Sequence, residues 1–160
     1  MHPCYSMNAG FFKLSWENKL TLLKDRVMPS EPYQTVIRES HLDTFGHVNN
    51  AAFLVLFEEA RWEFITKRGY GLKKVQELQK GPVVLDLHMR FKKELTLREK
   101  VKITMEFVDQ KGKISRFRQE ILKEDDTVAA ELELTFGFFD LKTRRLIDPT
   151  PEWKKAAGLP

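Results

Sequence analysis

Seven consecutive apolar residues, 51–57, follow directly after a polar loop that contains one carboxylate. This run offers no polar side chain to water, so a helix over these residues needs to be wrapped nearly all round by other elements. Basic residues and a glycine at 67–69 are typical of a helix end. The pattern therefore predicts a long buried helix that begins at the polar loop and ends near residue 67.

The second half of the chain alternates between apolar and polar positions, as half-buried strands do. Turns containing Gly112 and the pair Asp125-Asp126 separate the last three of these runs. The runs predicted as strands cover residues 33–39, 83–93, 101–108, 114–123 and 128–141, and a short helix is predicted over 72–79. An antiparallel meander after one long buried helix predicts an α+β domain whose curved sheet wraps around that helix.

The two ends of the chain are predicted to lie outside this domain. Residues 1–32 form an N-terminal extension, in which apolar residues at roughly helical spacing over 15–27 precede a segment with two prolines. The domain itself is expected to cover residues 33–148, and residues 149–160 are expected to be a C-terminal tail. No linker, internal repeat or low-complexity segment divides the chain.

Composition narrows the possible functions. A chain of 160 residues with 42% hydrophobic residues is long enough for one domain with a core of its own. The net charge of +4 allows a phosphorylated ligand, but no basic run is interleaved with stacking aromatics, so nucleic acid is not an expected partner. Cys4 is the only cysteine, and no apolar stretch approaches membrane-spanning length. We expect a cytoplasmic protein without a disulfide, a metal, a redox cofactor or a membrane partner.

Polar residues crowd the entrance of the predicted long helix, namely Asp43, Thr44, His47, Asn49 and Asn50. The first turn of a helix supplies unpaired backbone N–H groups and a positive dipole, which stabilise a developing negative charge such as a carbonyl oxygen under attack. Asp43 would then act on the carbonyl carbon. The sequence thus predicts a site at the start of a buried helix.

Residues 41–61, HLDTFGHVNNAAFLVLFEEAR, resemble the signature of hotdog-fold acyl-CoA thioesterases of the 4-hydroxybenzoyl-CoA thioesterase type. The matching positions are Asp43, Gly46, His47, Val48, Asn49, Asn50, Phe53, Phe57, Glu58, Ala60 and Arg61. The strand pattern extends the resemblance from about residue 33 to residue 147. The resemblance implies a hotdog fold, in which a curved antiparallel β-sheet wraps around a long central α-helix, and it implies cleavage of an acyl-CoA.

The resemblance also implies roles for individual residues. Asp43 corresponds to the aspartate that serves as nucleophile or general base, and the backbone N–H of Asn50 corresponds to the donor that polarises the thioester carbonyl. His47 matches a histidine considered catalytic in acyl-carrier-protein thioesterases, although Phe45 stands where those enzymes have an asparagine. The expected substrate-binding residues are Val48, Asn49, Phe53 and Glu58.

Partners follow from the same resemblance. It implies an acyl-CoA substrate and active sites between the subunits of a homodimer or homotetramer, and a lone curved sheet would also leave strand edges exposed. The phosphates of CoA require basic surface groups. The candidates are Arg90, Lys92, Lys93, Arg116 and Arg118.

Each candidate residue has a purely structural alternative. Aspartate near a turn commonly accepts local backbone hydrogen bonds, and asparagine is a natural helix N-cap. A glutamate and an arginine one turn apart, such as Glu58 and Arg61, usually form an ion pair or face solvent.

Three functional alternatives also remain for the whole domain. They are a non-catalytic acyl-CoA-binding domain, an acyl-carrier-protein thioesterase, and a hydratase that uses Asp43 and His47 as an acid–base pair.

Overall fold

A computed structural model of the protein describes residues 31–160. The helical segment predicted over 15–27 lies outside the described residues. The described residues form an antiparallel sheet in the order β1-β3-β4-β5-β2, with β6 beside β5. The strands are β1 (Tyr33–Val36), β2 (Lys80–Phe91), β3 (Lys100–Lys111), β4 (Ile114–Lys123), β5 (Val128–Asp140) and β6 (Arg145–Ile147).

The long predicted helix is present as α1 (Asn50–Lys67), and it packs against the inner face of the curved sheet. A 3-10 turn (Glu39–His41) precedes it, and α2 (Leu72–Leu78) follows it. The side chains that α1 buries are Phe53, Leu56, Phe57, Ala60, Phe64 and Ile65. This arrangement confirms the predicted α+β hotdog fold, in which the antiparallel sheet curls around one central helix.

The sheet covers only one side of α1. Val55 is half-exposed, and Glu58 and Glu59 on the same helix are exposed. The expectation that the sheet would wrap the apolar run nearly all round is therefore wrong for the sheet formed by residues 31–160. A half-barrel of this size leaves the far side of its central helix open, and that side includes apolar surface.

Among the strands of residues 31–160, β2 pairs with β5 alone and so forms one edge of the sheet. It begins at Lys80, earlier than predicted, and so includes Pro82. An edge strand tolerates proline because half of its backbone groups have no ladder partner. Three β2 side chains in register with buried β5 residues remain well exposed: Val84 at 50%, Leu87 at 39% and Phe91 at 53%. The free edge of the sheet thus carries an apolar strip.

The C-terminal segment adds a third helix, α3 (Pro151–Ala157). The Thr150 side chain caps it by accepting the backbone N–H of Trp153 at 3.3 Å, and Pro151 occupies a first-turn position where its missing N–H costs nothing. Trp153 is fully buried and its ring packs against Tyr70, Phe136 and Phe138. Residues 149–160, which we expected as a tail outside the domain, therefore contribute to its core.

Candidate active site

Backbone hydrogen bonds fix the loop that leads into α1 at both of its ends. The N–H of Val48 donates to the Leu95 carbonyl at 2.9 Å, and the N–H of Asn49 donates to the His41 carbonyl at 2.8 Å. Within the loop, Gly46 has a φ of +79°, a left-handed conformation that glycine adopts without steric cost. The loop is therefore a defined turn, and its last residues lead directly into the first turn of α1.

Asp43 organises this turn. Its Oδ1 accepts the backbone N–H of Phe45 at 2.8 Å and that of His47 at 3.3 Å, and its own N–H donates to the His47 carbonyl at 2.9 Å. Asp43 thus makes the local backbone hydrogen bonds that were considered as its purely structural role. The other carboxylate oxygen, Oδ2, makes no hydrogen bond with any residue in 31–160. One oxygen anchors the side chain while the second is available for chemistry.

The first turn of α1 offers a backbone donor. Asn49 is the N-cap, with an extended backbone (φ −60°, ψ 144°), and its Oδ1 accepts the N–H of Ala51 at 2.8 Å. The capping role considered for Asn49 is therefore confirmed. The N–H of Asn50, the first residue of the helix, has no acceptor within the described part of the chain. It points out of the helix end together with the positive end of the dipole.

The His47 side chain turns to a different partner. Its Nε2 lies 3.4 Å from Oε2 of Glu94, whose side chain is largely exposed, whereas the His47 side chain is half-buried. Among the described residues, the contact between His47 and the Asp43 carboxylate runs through the His47 backbone N–H, and no hydrogen bond joins the imidazole to that carboxylate. The structure therefore does not assemble the two side chains as an acid–base pair.

The four expected substrate-binding residues occupy different environments. Val48 and Phe53 are buried in the core, where the Phe53 ring packs edge-on against Phe91 at a centroid distance of 5.3 Å. Asn49 is the helix cap described above. Glu58 is exposed and lies roughly 12 Å further along the α1 axis than Asn50, at about 1.5 Å per residue. Within one chain, Glu58 is thus remote from the helix start.

The basic residues considered for phosphate binding mostly have acidic neighbours. Arg90 lies 3.3 Å from Glu133, and Lys92 pairs with Glu131. The remaining pairs in this group are Arg116 with Asp109, and Arg118 with both Glu120 and Glu131. The pairs Arg90–Glu133 and Arg116–Asp109 are exposed, so an incoming phosphate can displace them at low cost, whereas the carboxylates of Glu120 and Glu131 are mostly buried. Lys93 has no ion pair with any carboxylate of residues 31–160.

The sequence did not predict a polar pair between α1 and the sheet, formed by Arg61 and Gln119. Arg61 Nη1 donates to Oε1 of Gln119 at 2.9 Å, and the fully buried Gln119 amide donates to the Phe57 carbonyl at 3.1 Å. Burial lowers the pKa of Arg61, and the nearby Glu58 carboxylate only partly offsets this effect. The signal was the spacing: Arg61 lies one turn after Phe57 and one turn before Ile65, on the buried stripe of the helix.

Two further properties concern the described residues as a whole. In residues 31–160, no three His, Cys, Asp or Glu side chains come together in a way that could hold a metal ion. Among the helices of that same region, none combines the length and the apolar character needed to cross a bilayer.

Comparison with known proteins identifies a matching family and a sequence relative of this chain. A protein-family model described as the thioesterase-like superfamily matches residues 37–158. The long-chain acyl-CoA thioesterase FadM of Escherichia coli strain K12 is 31% identical over an alignment of 121 residues, and the match covers 71% of this chain and 86% of that protein. The region matched by the family model contains every residue of the candidate site.

Solved structures share the fold. YbaW, a probable thioesterase from Escherichia coli, superposes with a TM-score of 0.70 at 27% identity, covering 79% of this chain and 96% of its own. The hypothetical protein SAV2348 from Staphylococcus aureus, solved in complex with CoA, has a TM-score of 0.75 at 19% identity and covers 84% of this chain and 88% of its own. At that lower identity, the second likeness concerns the fold alone.

Proposed function

The chain belongs to the thioesterase-like superfamily, and from this premise we propose that it hydrolyses an acyl-CoA to the free acid and CoA. The observation that carries the proposal is the pairing of two groups at the start of α1. The Asp43 carboxylate keeps one oxygen unengaged, and the Asn50 N–H lacks an acceptor in the described structure. FadM is named as a long-chain acyl-CoA thioesterase, which supports this substrate class.

In the proposed mechanism, the Asn50 N–H holds the thioester oxygen. Negative charge grows on that oxygen when the carbonyl carbon becomes tetrahedral, and a donor at a helix N-terminus stabilises the charge more in the transition state than in the substrate. The loss of one such donor typically lowers the rate by about 100- to 1,000-fold. The fixed cap at Asn49 keeps the donor in place without reorganisation during the reaction.

Asp43 provides the second half of the mechanism. Its Oδ2 either attacks the carbonyl carbon directly, giving an anhydride that water then cleaves, or takes a proton from a water molecule that attacks the same carbon. In both routes the C–S bond breaks and the sulfur leaves as the CoA thiolate, which acquires a proton. The hydrogen bonds from Phe45 and His47 to Oδ1 would hold the carboxylate in position throughout.

A hydratase is the less favoured reaction for this site. It requires an acid and a base that together move protons next to a carbonyl, and His47 is the residue that the sequence pairs with Asp43 for this role. Its imidazole lies beside Glu94 instead. The geometry at the helix start, one carboxylate and one backbone donor, suits an acyl transfer to water better.

We also propose that the working enzyme is at least a homodimer joined along β2. The strand has one free edge, and the half-exposed side chains of Val84, Leu87 and Phe91 line it. A second copy of the same strand would satisfy the free backbone groups and cover this strip.

The proposed dimer is tested by its mass in solution. Light scattering after gel filtration should show a dimer or tetramer. Leu87→Arg should weaken the association of the subunits, whereas His88→Arg, on the opposite face of the strand, should leave it unchanged. A fully active monomer would contradict the proposal.

The activity is tested by measuring free thiol and free acid over a panel of short, long and aromatic acyl-CoAs. The proposal predicts equimolar release of CoA thiol and acid from at least one of them, and a parallel panel on acyl-carrier protein shows which carrier is preferred. Intact thioester after long incubation, with ligand still bound, would instead identify a binding domain. Addition of water across a double bond, with the thioester retained, would identify a hydratase.

A further inference from the structure

Three of the arginines first considered for phosphate binding lie on the face of the sheet that points away from α1. Arg116 and Arg118 alternate along β4 with the buried Phe117, so they point to the opposite face. Arg90 follows Met89, which packs against the core, and so it also points outward. The proposed catalytic groups lie at the start of α1, on the inner face. These arginines are therefore badly placed for a substrate bound there.

Lys80, at the beginning of β2, lies on the same face of the sheet as α1. It is in register with Asp140, two residues after the buried Phe138, and side chains two positions apart on a strand share a face. Its ammonium group forms no ion pair with a carboxylate of residues 31–160. The Asp140 carboxylate already accepts two backbone N–H groups of the turn that follows it. Lys80 thus offers a positive charge that no ion pair engages.

Within one chain, Lys80 is remote from the proposed catalytic groups. The opposite end of β2 is the one near these groups, because the Phe91 ring packs edge-on against Phe53, one turn after Asn50. Lys80 and Phe91 are the first and last residues of β2, roughly 35 Å apart at about 3.3 Å per residue. Lys80 is therefore out of reach of a substrate held at the start of α1 in its own subunit.

The proposed β2 dimer brings Lys80 to the site of the other subunit. A twofold axis that keeps both copies of α1 on one face of the joined sheet is perpendicular to that sheet, so the two copies of β2 run antiparallel. With full overlap of the strands, Lys80 lies opposite Phe91 of the partner subunit, and Val84 lies opposite Leu87 of the partner subunit. Val84 and Leu87 both face inward, and a slip by one residue would pair inward with outward side chains.

A second lysine lies near the same place in the subunit that supplies the catalytic groups. Lys93 is exposed and has no ion pair among the described residues, and the adjacent Glu94 contacts His47 of the loop before α1. The next residue, Leu95, accepts the N–H of Val48 through its carbonyl. The segment that carries Lys93 therefore borders the entrance of α1, just beyond the end of β2. In the dimer, the start of the partner's β2 lies beside this end.

On the basis of the proposed thioesterase function and the β2 dimer, we propose that Lys93 and Lys80 of the partner subunit bind the phosphate groups of CoA. Lysine binds phosphate as a point charge on a flexible stem. The pantetheine arm of CoA separates its phosphates from the thioester, so groups that bind them belong at a distance from Asn50. Each active site is then completed by the other subunit. Both lysines act on substrate binding and take no part in bond cleavage.

The first test compares acyl-CoA with acyl-pantetheine, which has the same thioester and arm but no phosphate. The ratio of the two kcat/KM values is independent of the fraction of folded enzyme. Lys80→Gln and Lys93→Gln should each lower this ratio by about tenfold, the value of one contact to a charged group, whereas Lys80→Arg keeps the charge and should retain the ratio. As a control, Lys111→Gln changes an exposed lysine on β3, three strands away from β2, and should leave the ratio unchanged.

The second test separates the two subunits by means of mixed dimers, purified through a different tag on each chain. In a dimer of Asp43→Asn and Lys80→Gln chains, the one intact Asp43 faces the intact Lys80 of its partner, so the KM for acyl-CoA should return to the parent value. In a dimer of Asp43→Asn and Lys93→Gln chains, the KM should stay raised, because Lys93 acts within its own subunit.

Two results would overturn the inference. One is an unchanged ratio in the folded, dimeric Lys80→Gln enzyme. The other is a KM that stays raised in the mixed dimer of Asp43→Asn and Lys80→Gln chains, since Lys80 would then act within its own subunit. Failure of the parent enzyme to cleave either thioester would overturn the proposed function instead.

Discussion

The Oδ1 atom of Asp43 accepts the backbone N–H of Phe45 at 2.8 Å. This contact explains how one residue can serve both the turn and the reaction, because it leaves Oδ2 as the oxygen without a hydrogen bond in the described part of the chain. An asparagine in the same place would keep an acceptor for the Phe45 N–H. Structural and chemical contributions of residue 43 are therefore separable by a substitution that changes only charge and basicity.

The contact between His47 and Glu94 predicts a modest role for the histidine. His47→Gln should lower kcat by much less than Asp43→Asn does, because the imidazole lies beside Glu94 and the backbone N–H that supports Asp43 is retained. Steady-state kinetics of the two variants, with circular dichroism as a check on folding, make the comparison. An equal loss of kcat in both folded variants would show that His47 is a catalytic partner of Asp43.

The proposed oxyanion donor is a backbone group, so the side chain of Asn50 should be dispensable. Asn50→Ala should retain appreciable activity, whereas Asn50→Pro deletes the N–H and should lower kcat by about 100-fold or more. The helix should tolerate this proline, because Asn50 is the first helical residue and Asn49 already has the extended backbone that a residue before proline prefers. Near-normal turnover by a folded, oligomeric Asn50→Pro protein would show that another group polarises the carbonyl.

The burial of Trp153 predicts that the C-terminal helix is essential for stability. Trp153→Ala should lower the free energy of unfolding by about 3 to 5 kcal/mol, the usual cost of removing a large aromatic from a packed core. Urea denaturation followed by fluorescence or circular dichroism measures this loss. As a control, Leu72→Ala removes a side chain that is mostly exposed and should cost much less. Equal, small effects would indicate that α3 does not contribute to the domain.

The lowered pKa of Glu131 predicts that the protein loses stability in acid. Partial burial raises the pKa of Glu131, but the bond from Lys92 and the charges of Lys92, Arg118 and Arg90 outweigh it, so the pKa lies below the ordinary value of 4.5. A carboxylate with a lowered pKa stabilises the fold above its unfolded-state pKa and loses that contribution as the pH falls through the folded-state value. Unfolding free energies of the parent and Lys92→Met should therefore differ at pH 7, and the difference should shrink as the pH falls through the lowered folded-state pKa of Glu131. A difference that stays constant with pH would contradict this assignment.

Much of the fold could be predicted because its signals are local. The alternation in residues 114–123 predicted the limits of β4 correctly, and the basic residues near 67 marked the end of α1. Strand β1 ends at Val36, earlier than predicted, because the chain turns into a 3-10 helix whose residues lack a distinctive pattern. The cap sequence Thr150-Pro151 was a local signal for α3 that went unused.

Features that depend on contacts between distant residues could not be predicted. Arg61 and Gln119 are 58 positions apart, and nothing in either local pattern says that they meet. The Asp43 hydrogen bonds were foreseeable from the turn, but the engagement of His47 with Glu94 was not, because it joins the loop to a segment far along the chain. Side-chain partners across elements require the three-dimensional arrangement.

The most direct measurement of the central claim is thiol release by Asp43→Asn, with ligand binding measured on the same preparation. Because the amide retains the shape and can still accept the Phe45 N–H, the fold and acyl-CoA binding should stay close to those of the parent enzyme. Because the amide is neither a nucleophile nor a base, kcat should fall by a factor of about 100 to 10,000. A folded Asp43→Asn protein that binds acyl-CoA and keeps most of its turnover would contradict the account.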